Sequence, residues 1–305
     1  MEFLRILENI RIPVLNEFML AITYLGDEIA FLVMALILFW CIDKRKAYYI
    51  LSVGFLGTIA NQFMKLLFRI PRPWVLDENF TILEQAKEGA GGYSFPSGHS
   101  QSSVGTFGGI AHISKNKIIK ALCIAVCILV PFSRMYIGVH TPADVIVGSA
   151  MAVLLVLVMR PLILGKDGKY IPAVLVTMSV AAVAYLCYVE LYPFPADTLM
   201  ENLESGTKNA YTLLGALLGF LVVYFVDEKW LHFQVKAVWW AQIIKCIFGL
   251  AIVLGIKEGL SKPLASLFGQ YPGRLIRYFL IVIFAGIVWP LTFRWFSSLG
   301  TKKKF

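Results

Sequence analysis

Apolar stretches long enough to cross a bilayer recur along most of this chain, and they constrain its fold more than any other feature. A helix of about 20 such residues spans a hydrocarbon core of ~30 Å. Stretches of this kind lie at about 28–42, 47–68, 99–113, 117–134, 143–160, 171–190, 209–226, 237–256 and 275–296. The expected architecture is all-α: a polytopic transmembrane bundle of about nine spans. The third stretch is short and rich in Ser and Gly; it counts as a span because of the motif it carries and because the loop pattern requires it. Composition agrees. Hydrophobic residues are 58% and charged ones 15%, against about 25% charged in a soluble domain. That balance excludes a disordered chain and leaves too little polar surface for a soluble enzyme.

The net charge of +9 does not form one patch, so it gives no footprint for nucleic acid. Basic clusters sit at Lys44, Arg45 and Lys46; at Lys115, Lys117 and Lys120; at Arg160, Lys166 and Lys169; at Lys229 and Lys236; and at Lys302, Lys303 and Lys304. The alternate segments are acidic or mixed: Asp77, Glu78, Glu84 and Glu88; Glu190, Asp197, Glu201 and Glu204; and Lys257, Glu258 and Lys262. The positive-inside rule places the first set in the cytoplasm, with the N-terminus outside and the C-terminus inside. Arg274 and Arg277 run against this pattern, since they fall on the outer side. The first residues are not a secretory signal, because Glu2, Arg5, Glu8 and Arg11 interrupt any apolar core. The expected division is an N-terminal interfacial segment (1–27), a catalytic transmembrane core (28–160) and additional helices (161–305). The five cysteines lie in apolar stretches and read as small hydrophobes rather than as disulfides or metal ligands.

Ionisable residues gather at one membrane face in three places. Lys65 ends an otherwise uncharged span, and Arg72 follows seven residues later, nearly two helical turns on. Alone, each reads equally well as snorkelling to the interface. In Pro96-Ser97-Gly98-His99, Ser97 is a natural N-cap and Gly98 lets backbone approach a ligand; a helix start with free N–H groups favours an anion. Simple capping would explain Ser97 equally, though not His99. In the stretch from Ser133 to Asp144, Thr141, Pro142 and Asp144 read as an imperfect capping box. His140 lies just before it, within reach of the Asp144 carboxylate, which would set the imidazole tautomer and leave Nε2 free as nucleophile or base. Arg134 could offer a bidentate fork to a phosphoryl group. Each motif is weak by itself. Together they make a kit for phosphoryl transfer through a phosphohistidine.

The patterns Lys65-x6-Arg72-Pro73, Pro96-Ser97-Gly98-His99 and Ser133-Arg134-x5-His140-x3-Asp144 resemble the three signature motifs of the type 2 phosphatidic acid phosphatase superfamily, complete and in order. The resemblance covers roughly residues 28–160. It implies that His140 is the nucleophile, that Asp144 orients it and that His99 is the general acid. It implies phosphate binding by Lys65, Arg72, Ser97, Gly98 and Arg134. It also implies no metal or other cofactor. The expected activity is hydrolysis of lipid phosphate monoesters or diphosphates on the non-cytoplasmic side, with a phosphorylated lipid as substrate, membrane lipids as surroundings and the plasma membrane as location. The same chemistry would serve a phosphotransferase with an acceptor hydroxyl. The nine-span layout and the run Arg72–Asp77 resemble the glucose-6-phosphatase branch, so a sugar phosphate is the other alternative substrate. A transport or binding protein would not need His99, His140 and Asp144 all intact, and haloperoxidases sharing these motifs are soluble. Head group, oligomeric state and the role of residues 161–305 are not legible here.

Overall fold

The computed structural model describes residues 1–87 and 89–299, apart from the side chain of Lys166. Glu88 and the basic cluster Lys302–Lys304 lie outside the described residues. The helices are α1 (Glu2–Asn9), α2 (Pro13–Thr23), α3 (Glu28–Ile37), α4 (Lys44–Phe68), α5 (Pro73–Leu76), α6 (Gly98–Ser103), α7 (Gly109–Ile113), α8 (Lys117–Tyr136), α9 (Pro142–Leu164), α10 (Ile171–Leu191), α11 (Met200–Val226), α12 (Trp239–Gly259), α13 (Ser261–Phe268), α14 (Gln270–Ile283) and α15 (Phe293–Ser298). Among the described residues there is no strand, and the chain is all-α.

Among the described residues seven helical segments are long and apolar enough to cross a membrane: Lys44–Leu76, Lys117–Tyr136, Pro142–Leu164, Ile171–Leu191, Met200–Leu231, Trp239–Phe268 and Gln270–Ser298. Pro13–Gly26 and Glu28–Ile42, bent by 54°, make an eighth if the pair is one broken span. The count is therefore seven or eight where the sequence leads to nine. The difference lies at 99–113 and, if the bent pair is not one span, at 28–42 as well. Gly98–Ile113 is helical, with a π turn at Val104–Gly108 between α6 and α7. At 1.5 Å per residue it rises about 24 Å, which leaves it outside a count of long apolar helices.

Two compact units divide the chain. The first comprises Met1–Leu32, Ile50–Pro161 and Leu191–Gly206; the second comprises Val33–Tyr49, Leu162–Glu190 and Thr207–Phe305.

In the first unit, α4 stops where Arg69 turns left-handed (φ 49°) and donates its N–H to Lys65 O at 3.0 Å. Pro71 then prevents α4 from continuing, and Pro73 takes the first position of α5. Helix α8 starts on Asn116, whose side chain accepts from the N–H groups of Ile118 and Ile119 at 2.8 and 3.2 Å. It ends before Gly138, at φ 91°, where a Cβ would lie 2.9 Å from Arg11 Nη2. The N-terminal segment, expected along the interface, is tied to the loop after α5. Arg5 pairs with Asp77 at 2.6 Å, Glu8 accepts from Thr81 N–H at 2.8 Å, and Arg11 donates to Tyr136 O at 3.0 Å. Met19, Ala86, Ala90, Tyr136, Ile137 and Val139 form the apolar cluster beneath this seam.

In the second unit, buried Trp40 donates Nε1–H to Ala285 O at 2.8 Å, and Lys44 pairs with Asp227 at 2.5 Å. Fully buried Lys245 donates to Trp40 O at 2.7 Å and faces the Phe293 ring at 4.2 Å. Helix α11 approaches α14 through glycines: a Cβ at Gly215 would lie 2.2 Å from Leu275 O, and one at Gly219 3.1 Å from Phe279 O.

Candidate active site

All the sequence-predicted site residues fall in the first unit, where four element ends supply them. The C-terminal end of α4 carries Lys65, and Arg72 follows it. Ser97, Gly98 and His99 start α6, Arg134 lies in the last turn of α8, and His140 and Asp144 flank the start of α9. Lys65, Arg72, Ser97, Arg134, His140 and Asp144 are all buried. A cluster of three buried cations with one carboxylate is costly to form, so it exists only where each donor has an acceptor.

His140 lies at its centre. Its Nδ1 is 3.3 Å from Asp144 Oδ2, and its Nε2 is 2.9 Å from Arg72 Nη1. A guanidinium has donors and no acceptor. Nε2 must therefore present its lone pair, and the ring proton must sit on Nδ1, directed at Asp144. Burial holds the His140 pKa well below its ordinary value, and the positive charges of Arg72, Arg134, Lys65 and His99 depress it further. The imidazole at rest is thus neutral, with Nε2 unprotonated.

Asp144 is held by more than its histidine. Its Oδ2 accepts from Thr141 N–H at 2.8 Å and from the Ser94 hydroxyl at 2.5 Å, and its N–H donates to Thr141 Oγ1 at 3.3 Å. This reciprocal pair is the capping box read from the sequence, with Asp where Glu is usual. Ser97 N–H donates to Asp144 O at 2.9 Å, which couples the start of α6 to the start of α9. Gly148, one turn later on α9, makes that approach possible: a Cβ there would sit 2.5 Å from Ser97 O.

The cations hold backbone carbonyls. Arg72 donates to Gly91 O at 2.8 Å, Gly92 O at 3.0 Å and Val139 O at 3.0 Å. Lys65 donates to Tyr93 O. Ser97 Oγ accepts from Ser100 N–H at 3.3 Å, as an N-cap does. Arg134 donates Nη1–H to Thr23 Oγ1 at 2.8 Å, while its buried Nε has no partner. His99 Nε2 lies 3.2 Å from Asp27 Oδ1.

The sequence reading missed four residues here. Ser94 and Asn61 flank the motifs; Thr23 and Asp27 come from the N-terminal segment, more than 70 residues before the motif residues they touch. Asn61 donates to Pro96 O at 3.2 Å, and its buried Oδ1, the closest atom to a Cβ placed on Gly98, has no partner. Lone Ser, Thr and Asn residues in apolar surroundings carry no signal of their own. Asp27 did carry one, as a charge between two apolar stretches.

Comparison with known families matches residues 45–166 to the PAP2 superfamily, the type 2 phosphatidic acid phosphatases, and this stretch contains all three motifs. Residues 211–303 match the transmembrane extension of PAP2 superfamily phosphatases, which accounts for a region without a recognisable motif. Among curated proteins the chain is similar to undecaprenyl-diphosphatase BcrC of Bacillus subtilis, 29% identical over 144 residues, 47% of this chain and 72% of that one. Phosphatidylglycerophosphatase B of the same organism is 29% identical over 157 residues, 48% of this chain and 74% of that one. An undecaprenyl-diphosphatase of Sulfolobus acidocaldarius is 28% identical over 148 residues, covering 48% and 70%. No solved structure matches the chain.

Proposed function

We propose, from the PAP2 superfamily domain and its transmembrane extension, that this integral membrane protein is a lipid phosphatase working through a phosphohistidine. The observation that carries the mechanism is the forced tautomer of His140, with Nδ1–H toward Asp144 and an unprotonated Nε2. Nε2 attacks phosphorus and forms the N–P bond while the ester or anhydride P–O bond breaks. His99 gives its proton to the leaving oxygen. Water then attacks the phosphohistidine, with His99 taking its proton, and orthophosphate leaves. Lys65, Arg72, Arg134, Ser97 and Gly98 hold the phosphoryl oxygens. These cations supply the charge that a metal supplies elsewhere, so the reaction runs without one.

The names of the three relatives support a membrane-borne phosphate or diphosphate lipid over a sugar phosphate. The alternation of basic and acidic loops supports a site on the non-cytoplasmic face. Purified protein should release orthophosphate from undecaprenyl diphosphate or phosphatidylglycerophosphate in the presence of a chelator. Rapid acid-free quenching should trap a base-stable phosphoenzyme in the wild type and none in His140→Ala. A phosphoenzyme of equal yield in His140→Ala would remove the proposal, as would activity that EDTA abolishes and Mg²⁺ restores.

A further inference from the structure

Arg274 and Arg277 are the two arginines that break the charge pattern of the loops, and the mechanism above does not use them. They stand four and seven residues into α14, about 6 and 10 Å along its axis. Their end of the second unit is opposite the basic segments of that unit, because Arg277 reaches the C-terminal end of α12 while Lys236 precedes its start. Arginines near a helix end often snorkel to water. Arg277 does not, since it is only 8% exposed.

The backbone that carries them is clamped. Besides Gly215 and Gly219 of α11, Gly273 lies so close to α13 that a Cβ there would be 2.5 Å from Leu264 O. Arg277 donates Nη1–H to Lys257 O at 3.1 Å, and its buried Nε has no partner. Arg274 donates Nε–H to Thr212 Oγ1 at 2.6 Å. The two guanidinium groups lie 5.6 and 5.4 Å from the centre of the Tyr278 ring. Among the described residues no carboxylate pairs with either one. Glu258 pairs with Lys257 at 3.7 Å, and Glu190 is hydrogen-bonded to the Tyr211 side chain. Two guanidinium groups set into an apolar helix without a counter-ion are expensive, and an ionisable residue in such surroundings calls for a partner.

We propose that Arg274 and Arg277 bind the phosphate of a phospholipid. A guanidinium fork matches phosphate oxygens in pairs. Leu280, one turn beyond Arg277, and Leu267 and Phe268 on α13 are exposed apolar side chains that an acyl chain would cover. This is a site separate from the catalytic cluster, and it gives the extension a lipid contact of its own.

Native mass spectrometry of the detergent-purified protein with phosphatidylglycerol tests the proposal. The wild type should retain the lipid. The double variant Arg274→Gln/Arg277→Gln should bind it about tenfold more weakly or worse, and Arg274→Lys/Arg277→Lys should restore only part of the affinity, keeping charge but losing the fork. Arg274 is half-buried, so Arg274→Gln alone keeps the test open if the double variant does not fold, and it too should weaken binding. Equal affinity in wild type and glutamine variants would overturn the proposal. Displacement of the lipid by millimolar inorganic phosphate would overturn the choice of a lipid over a free anion.

Discussion

Adding a single methyl group at Gly148 should separate the phosphate cradle from the nucleophile. An ideal Cβ at this position lies 2.5 Å from Ser97 O and 3.4 Å from Ser97 C and N. An ordinary carbon–oxygen contact needs roughly 3.4 Å, so Gly148→Ala forces a displacement of about 1 Å. The obstacle is backbone, which cannot rotate aside as a side chain can. Either the Ser97 turn retreats, taking Gly98 and His99 with it, or α9 retreats, taking Asp144 and His140. The Ser97 N–H to Asp144 O bond of 2.9 Å is stretched in both cases. Overpacking of this kind costs about 1–3 kcal/mol of stability. A misplacement of about 1 Å can cost about 10²-fold in rate. Gly148→Ala should therefore fold, with a lowered Tm, and lose about 10²-fold in kcat/KM for orthophosphate release from a lipid diphosphate. Gly108→Ala is the control on a neighbouring surface: its Cβ would meet Cys127 Sγ at 3.7 Å, an ordinary contact, and activity should stay within about twofold. If Gly148→Ala folded and kept wild-type kcat/KM, the packing of α9 on the Ser97 turn would not set the catalytic distance, and the argument would fail.

Ser94→Ala removes a 2.5 Å hydrogen bond to the Asp144 carboxylate, an interaction worth about 1.5–3 kcal/mol; kcat should fall about tenfold with KM little changed, and steady-state kinetics checks the split. His99→Ala should lose about 10²–10⁴-fold on a lipid phosphate yet recover part of that on p-nitrophenyl phosphate, whose leaving group needs no proton, whereas His140→Ala should be inactive on both; activity in His140→Ala would reverse the assignments. The depressed pKa of His140 means that the unfolded chain binds a proton more readily than the folded one as pH falls below about 6.5. Its contribution to stability is full above that pH and declines below it, towards the folded pKa, so Tm should drop on acidification and drop less in His140→Gln.

What the sequence could reveal was set by how local each signal is. The motif residues are read by spacing within short stretches, and the capping box at Thr141–Asp144 is local enough to be seen directly. Asp27, which lies beside His99, is separated from it by 72 residues and by a bend between two apolar stretches, and nothing in the sequence points from one to the other. The span count differs for a related reason. The sequence counts Gly98–Ile113 for its motif and its place between loops, whereas the structure gives seven or eight long apolar segments and breaks this one with a π turn. Arg274 and Arg277 were visible as an anomaly of charge, but only burial distinguishes them from snorkelling side chains.

The carbonyls of Gly91, Gly92, Tyr93 and Val139 accept from the side chains to which the proposed mechanism assigns phosphoryl oxygens. Arg72 also occupies the lone pair of His140, so one side chain keeps both the cradle and the nucleophile engaged. On the proposed mechanism phosphate enters partly by exchange: an oxygen that binds Arg72 or Lys65 must replace a carbonyl already in place. Free orthophosphate brings little besides those oxygens, whereas a lipid brings the burial of its chains, at about 0.8 kcal/mol per CH₂. On that mechanism the loop from Gly91 to Tyr93 is a tethered rival to the spent product, one that would favour its departure while leaving the loaded lipid able to compete.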